Sequence, residues 1–165
     1  MSGRVLTWHE AIVRRAREKR NGRRVVFTNG CFDLLHPGHI ETLERARACG
    51  DVLIVGVNSD RSVQEMKGAG RPIMPEQERA ELLAALDPVD GVVIFDEPTP
   101  REIVSALGPD VLVKGGDWAS DRIIGREEVE AVGGRVVQVP VVSGYSTSAM
   151  VRKIQEPGGS GGSNS

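Results

Sequence analysis

Two histidines, His36 and His39, flank a Pro-Gly step in the run Thr28-Asn29-Gly30-Cys31-Phe32-Asp33-Leu34-Leu35-His36-Pro37-Gly38-His39. At that spacing both imidazoles can point into one pocket, and either can donate a hydrogen bond to a phosphoryl oxygen. Ile40, Leu43 and Ala46 follow at helical spacing, so the Pro-Gly step marks a helix start. Pro37 there lacks only an amide hydrogen that had no helical partner, and Gly38 lets a ligand approach the backbone. The start of such a helix presents free amides and a partial positive charge, and phosphate is the guest it suits. A plainer reading makes one histidine a helix cap and the other a surface residue. A metal pair is the rival, but it wants a third ligand, and His9, Cys31 and Cys49 do not stand at the expected spacing.

The elements that must hold this turn alternate regularly. Short apolar, β-branched runs at 24–29, 52–57, 92–95, 111–114 and 135–139 read as strands covered on both faces. Helical periodicity at 38–49, 59–66, 75–86, 100–107, 125–132 and 146–154 separates them. The expected fold is α/β, a Rossmann-like doubly wound parallel five-stranded sheet with helices on both faces. Ligands in such sheets bind beyond the carboxyl ends of the strands, where His36 and His39 fall. Thr7 with Glu10 forms a capping-box pattern for a further helix over 1–22, stopped at Asn21-Gly22. Residues 157–165 contain only Pro, Gly, Ser and Asn and read as a flexible tail after a domain over 23–156.

With 165 residues, 39% hydrophobic, the chain is long enough for one self-sufficient core. Two cysteines are too few for a disulfide framework, and free thiols with no secretory pattern suggest the cytoplasm. The net charge of −2 hides a basic first 24 residues, with eight Lys/Arg against Glu10 and Glu18. Trp8, Ala11, Ile12 and Ala16 recur at helical spacing there, so those charges read as the solvated face of an amphipathic helix. No aromatics interleave with them as a nucleic-acid platform would require. Neither nucleic acid nor membrane is expected as a partner, and the sequence leaves homo-oligomerisation open.

The His-Pro-Gly-His step after a first strand resembles the nucleotidylyltransferase superfamily. Further stretches narrow the likeness: Val55-Gly56-Val57-Asn58-Ser59-Asp60, Lys67-Gly68-Ala69-Gly70-Arg71-Pro72-Ile73, Asp110-Val111-Leu112-Val113-Lys114-Gly115-Gly116-Asp117-Trp118 and Gly144-Tyr145-Ser146-Thr147-Ser148-Ala149. Together they resemble the D-glycero-β-D-manno-heptose 1-phosphate adenylyltransferases, over residues 23–154. The resemblance implies transfer of AMP from ATP to a sugar 1-phosphate, giving an ADP-sugar and pyrophosphate, with Mg²⁺ carried on the nucleotide phosphates and no protein metal site. It implies catalytic roles for His36, His39 and Lys67. Thr28, Asn29, Gly30, Phe32, Gly38, Arg79, Ser146, Thr147 and Ser148 would meet the nucleotide and its phosphates, and Asp33, Lys114, Asp117 and Trp118 the sugar phosphate. For Arg79 an ion pair within its own helix is the competing reading. For Ser146 to Ser148 it is helix capping, and for Trp118 it is packing. The segment 139–145 lacks an arginine to meet a cytosine carbonyl, which favours adenine. The alternatives are a cytidylyltransferase acting on glycerol 3-phosphate or a similar alcohol phosphate, and a non-catalytic nucleotide- or RNA-binding module.

Overall fold

The computed structural model describes residues 3–116, 122–140 and 144–156. In chain order its elements are β1 (Arg4–Leu6), α1 (Trp8–Arg20), β2 (Val25–Gly30), α2 (Pro37–Arg47), β3 (Val52–Asn58), α3 (Asp60–Lys67) and α4 (Glu76–Ala84). There follow β4 (Gly91–Phe95), α5 (Arg101–Leu107), β5 (Val111–Gly115), α6 (Arg126–Ala131), β6 (Arg135–Val139) and α7 (Thr147–Gln155). The strands form one sheet in the order β1-β4-β3-β2-β5-β6, and every pairing is parallel. The inner strands are largely apolar because both faces are covered, and all seven residues of β3 are buried, whereas the edge strands β1 and β6 are partly exposed. Val25 and Phe27 face a core with α1, α5 and α6, whereas Val26 faces a second core with α2 and α4. Among the described residues no helix is long and apolar enough to cross a membrane.

The sheet has six strands where the sequence predicted five. The added strand is β1, three residues paired with Gly91 to Val93 at the edge of the sheet. A strand that short carries too little pattern to be read, and its pairing with distant β4 is what makes it a strand.

The buried face of α1 also differs from the expected one. Trp8 and Ala11 turn inward as expected, but Ile12 and Ala16 are exposed, and Arg15 and Glu18 take the buried positions instead. The reason is polar. Arg15 donates through both terminal nitrogens to the Asp110 carboxylate at 2.9 and 3.0 Å, and through Nε to the Gly108 carbonyl at 2.9 Å. Asp110 also accepts from the Val25 amide at 2.8 Å, so the pair locks α1 to the starts of β2 and β5. Glu18 draws in Arg14 and Arg23. Much of the basic excess of the N-terminal segment is therefore spent on intramolecular pairs.

Removing Arg15 strands a half-covered carboxylate. Arg15→Met is expected to destabilise the protein by about 2–3 kcal/mol, below the range for fully buried pairs because Asp110 retains solvent contact. Urea unfolding measures this, and a loss under about 0.5 kcal/mol would show that the pair is dispensable.

Candidate active site

The order of the sheet reverses at β2, where β3 continues in one direction and β5 in the other. A crevice opens at the carboxyl ends of the strands on either side of such a reversal. The chain leaves β2 there through Phe32, whose φ of 48° lies in the left-handed region that few residues other than glycine adopt. Its ring fills the core and tilts against the His39 ring at 5.4 Å. A side chain at Gly30 would stand 3.0 Å from that ring, so the two residues share one volume. His36 then caps α2, with Pro37 in the first turn.

The two histidines meet. Their rings stack at 3.8 Å between centroids, inclined by 19°, and Tyr145 continues the stack beyond His36 at 5.8 Å. The backbone N–H of His36 donates to His39 Nδ1 at 3.3 Å, which leaves the proton of neutral His39 on Nε2. His36 Nδ1 is buried with no hydrogen-bond partner. Burial lowers the pKa of both rings, and for His39 burial together with the charge of His36 brings it down to about 4. Both rings are therefore neutral near pH 7 and present N–H donors at a helix start that attracts anions. Gly38 is needed between them. A Cβ there would lie 3.0 Å from His36 Cε1 and Nδ1 and 3.2 Å from Tyr145 Cβ.

The depressed His39 pKa makes stability depend on pH. Below pH 6.5 the unfolded chain takes up a proton that folded His39 refuses until about pH 4, so this contribution is complete above 6.5 and is lost as pH falls through that window. The thermal midpoint of His39→Gln is expected to fall less steeply than that of the wild type between pH 6.5 and 4. Parallel profiles would contradict the assignment.

The start of α7 docks against the same turn. Thr147 Oγ1 donates to the Leu34 carbonyl at 3.0 Å, and Ser146 caps the helix by accepting from the Ala149 amide at 3.1 Å. Ser146 and Ser148 are exposed beside the Tyr145-His36 stack. The capping reading of Ser146 is thus realised, and it leaves the first turn of α7 facing the histidine-bearing loop.

Across the reversal, Lys114 at the end of β5 donates to Asn29 Oδ1 at the end of β2, at 2.5 Å. These residues, with Pro100, Gly115, Arg122, Ile123 and Ile124, line a cavity of about 260 Å³. Burial pulls the Lys114 pKa down to about 8. Gly115 abuts Thr42 of α2, since a Cβ there would sit 3.8 Å from Thr42 Cγ2. The cavity thus lies at the carboxyl ends of β2 and β5.

Three of the residues expected to contact ligand hold structural hydrogen bonds. Thr28 is buried and donates to the Val113 carbonyl at 2.9 Å, joining β2 to β5. Asp33, 2% exposed, accepts from the amides of Ile73 and Met74 at 2.9 Å and from Arg71 Nε at 2.8 Å. Burial alone would raise the Asp33 pKa; those amides and Arg71 outweigh it and hold the carboxyl below its usual value. Its oxygens are committed to the protein, which leaves none for a sugar hydroxyl. Arg79, 1% exposed, does not form the ion pair within its own helix and pairs with Asp60 instead. It donates to the carbonyls of Cys31 at 2.6 Å, Asn58 at 2.8 Å and Met74 at 2.9 Å, and to Asp60 at 2.8 Å. Lys67 is exposed at the end of α3. Asp117, Trp118 and residues 141–143 of the expected base-binding segment lie outside the described residues.

Sequence reasoning missed the bonds of Arg71, Asn58 and Asp60 around the site, and it placed Tyr145 in the expected base-binding segment and not against His36. All stand in the stretches that carried the family resemblance, which was the available signal; what they touch depends on contacts between distant segments.

The chain matches the cytidylyltransferase-like family model over residues 27–154. It is 57% identical over 150 residues to the bifunctional protein HldE of Koribacter versatilis, covering 91% of this chain and 31% of that protein. It is 52% identical over 155 residues to the bifunctional protein HldE of Hyphomonas neptunium, covering 94% of this chain and 30% of that one. The chain thus spans about three tenths of the length of these relatives. Among solved structures it is similar to the lipopolysaccharide core biosynthesis protein of Thermoplasma volcanium, at a TM-score of 0.61 and 29% identity, covering 73% of this chain and 98% of that one. A parallel sheet that reverses at β2, with a stacked histidine pair opening the next helix, agrees with the family match over most of the chain: the protein belongs to the cytidylyltransferase-like family.

Proposed function

We propose that the chain transfers an adenylyl group from ATP to a sugar 1-phosphate, D-glycero-β-D-manno-heptose 1-phosphate, releasing pyrophosphate and ADP-heptose. The observation that carries this reading is the neutral His36-His39 stack at the start of α2, with one buried ring nitrogen lacking a partner. The acceptor oxygen belongs to a phosphate monoester that is already ionised, so no general base is needed. In the transfer, the acceptor oxygen bonds to the α-phosphorus as the bond from that phosphorus to the oxygen bridging the β-phosphate breaks, and pyrophosphate carries off the electron pair. The protein's work is alignment and stabilisation of the growing charge by His36, His39, Lys67 and the first turns of α2 and α7. Lys114, which the resemblance gives to the sugar phosphate, lines one cavity with Asn29, which it gives to the nucleotide.

Magnesium enters as part of the nucleotide substrate. No group of three His, Cys, Asp or Glu is gathered for a metal ion among the described residues, and Mg²⁺ commonly binds through substrate phosphates. The sugar assignment is supported by the motif resemblance and by the relatives, one of which is named for lipopolysaccharide core biosynthesis.

Pyrophosphate release from each nucleoside triphosphate with a panel of sugar and alcohol phosphates tests the proposal. ATP with heptose 1-phosphate is expected to be the best pair, with ATP favoured over CTP by at least about tenfold in kcat/KM. Equal or better turnover with CTP on any acceptor would replace this reading with a cytidylyltransferase. No pyrophosphate from any pair would favour a binding module.

A further inference from the structure

Between α3 and α4 the chain runs through two unlike halves. In the first, Gly68 and Gly70 take φ values of 91° and 87°, and a Cβ at either would meet nothing within 4 Å. This half is open and exposed, and it follows directly on Lys67. In the second, nearly every polar group is tied down. Asp33 holds Arg71, Ile73 and Met74, and Arg79 holds the Met74 carbonyl while gripping the ends of β2 and β3 through Cys31 and Asn58. Arg79 also pairs with Asp60, in the first turn of the helix that ends at Lys67. Two interlocked ion pairs, Asp33-Arg71 and Asp60-Arg79, therefore fasten both ends of an otherwise free glycine arm. The arm follows directly on the exposed Lys67 and is tied through Asp33 to the turn that leads into His36.

We propose that Asp33 and Arg71 are positioning residues that anchor the arm 68–70 from its far end, and so deliver the Lys67 ammonium to the phosphates of a nucleotide bound at His36 and His39. The inference rests on the nucleotide reading of the site given above. The anchor explains why Asp33, three residues before His36, is committed to a loop far along the chain: the turn that carries the histidines also sets the reach of the lysine. An arm tied at both ends loses less freedom when it closes on its ligand, and that saving is expressed as tighter transition-state binding.

A double-mutant cycle on the full chain tests this. Asp33→Asn is expected to lower kcat/KM for magnesium-ATP about tenfold in the wild-type background, and by less than about twofold when Lys67 is already Ala. Arg71→Gln, which leaves the bonds from Asp33 to the Ile73 and Met74 amides in place, is expected to show the same coupling. It carries the cycle if Asp33→Asn does not fold. Equal losses in the two backgrounds would overturn the proposal, because a purely structural brace does not depend on Lys67. Failure of the underlying reading looks different: the wild type would give no pyrophosphate. The cycle is then read in magnesium-ATP affinity by calorimetry, where additive effects, or no binding at all, overturn the positioning role.

Discussion

His36→Ala and His39→Ala are each expected to lower kcat by about a hundredfold or more, since under the proposed function each removes a donor to charge that grows in the transition state. The effects should not add. The rings stack on one another at 3.8 Å, so losing either removes the packing that orients its neighbour, while the residue 36 amide that fixes the His39 tautomer stays in place in His36→Ala. The double variant is expected to be little worse than the poorer single one. Turnover of pyrophosphate under saturating ATP measures this, with a thermal melt to show that folding survives. Wild-type turnover in either variant would remove that histidine from the mechanism.

Arg79→Met is expected to have the largest effect on stability, about 3–5 kcal/mol, because it removes the buried cation that serves three carbonyls and leaves Asp60 unpaired. Arg79→Lys should recover only part of this, since an ammonium cannot span the planar fork of acceptors at Cys31, Asn58, Met74 and Asp60. The urea midpoint reads both variants, and a loss below about 1 kcal/mol in the Met variant would show that the brace is redundant.

The strands and the helix start at Pro37 were legible because each rests on local pattern: apolar runs for a sheet covered on both faces, and a Pro-Gly step for the first turn. The stacking of His36 on His39 was half legible. Their spacing allowed one pocket, while the third ring, Tyr145, comes from more than a hundred residues away. What local pattern could not show was how buried charges are spent. Arg15, Asp33 and Arg79 look like surface or ligand-binding residues in the sequence, since charged side chains are seldom buried. Each is instead buried against partners that include a residue 40 or more positions away: Asp110 for Arg15, Ile73 for Asp33 and Cys31 for Arg79. Edge strand β1 was hidden for the same reason, as a three-residue segment made a strand by β4.

The central claim is a direct displacement at the α-phosphorus, aligned by neutral donors with no covalent enzyme intermediate. The stereochemical course of transfer from one diastereomer of ATP bearing sulfur at the α-phosphorus tests it most directly. A single in-line displacement predicts that the ADP-heptose formed has inverted configuration at that phosphorus. Retention would mean two displacements through an adenylylated side chain, with His36 or His39 as nucleophile in place of donor, and would contradict the account.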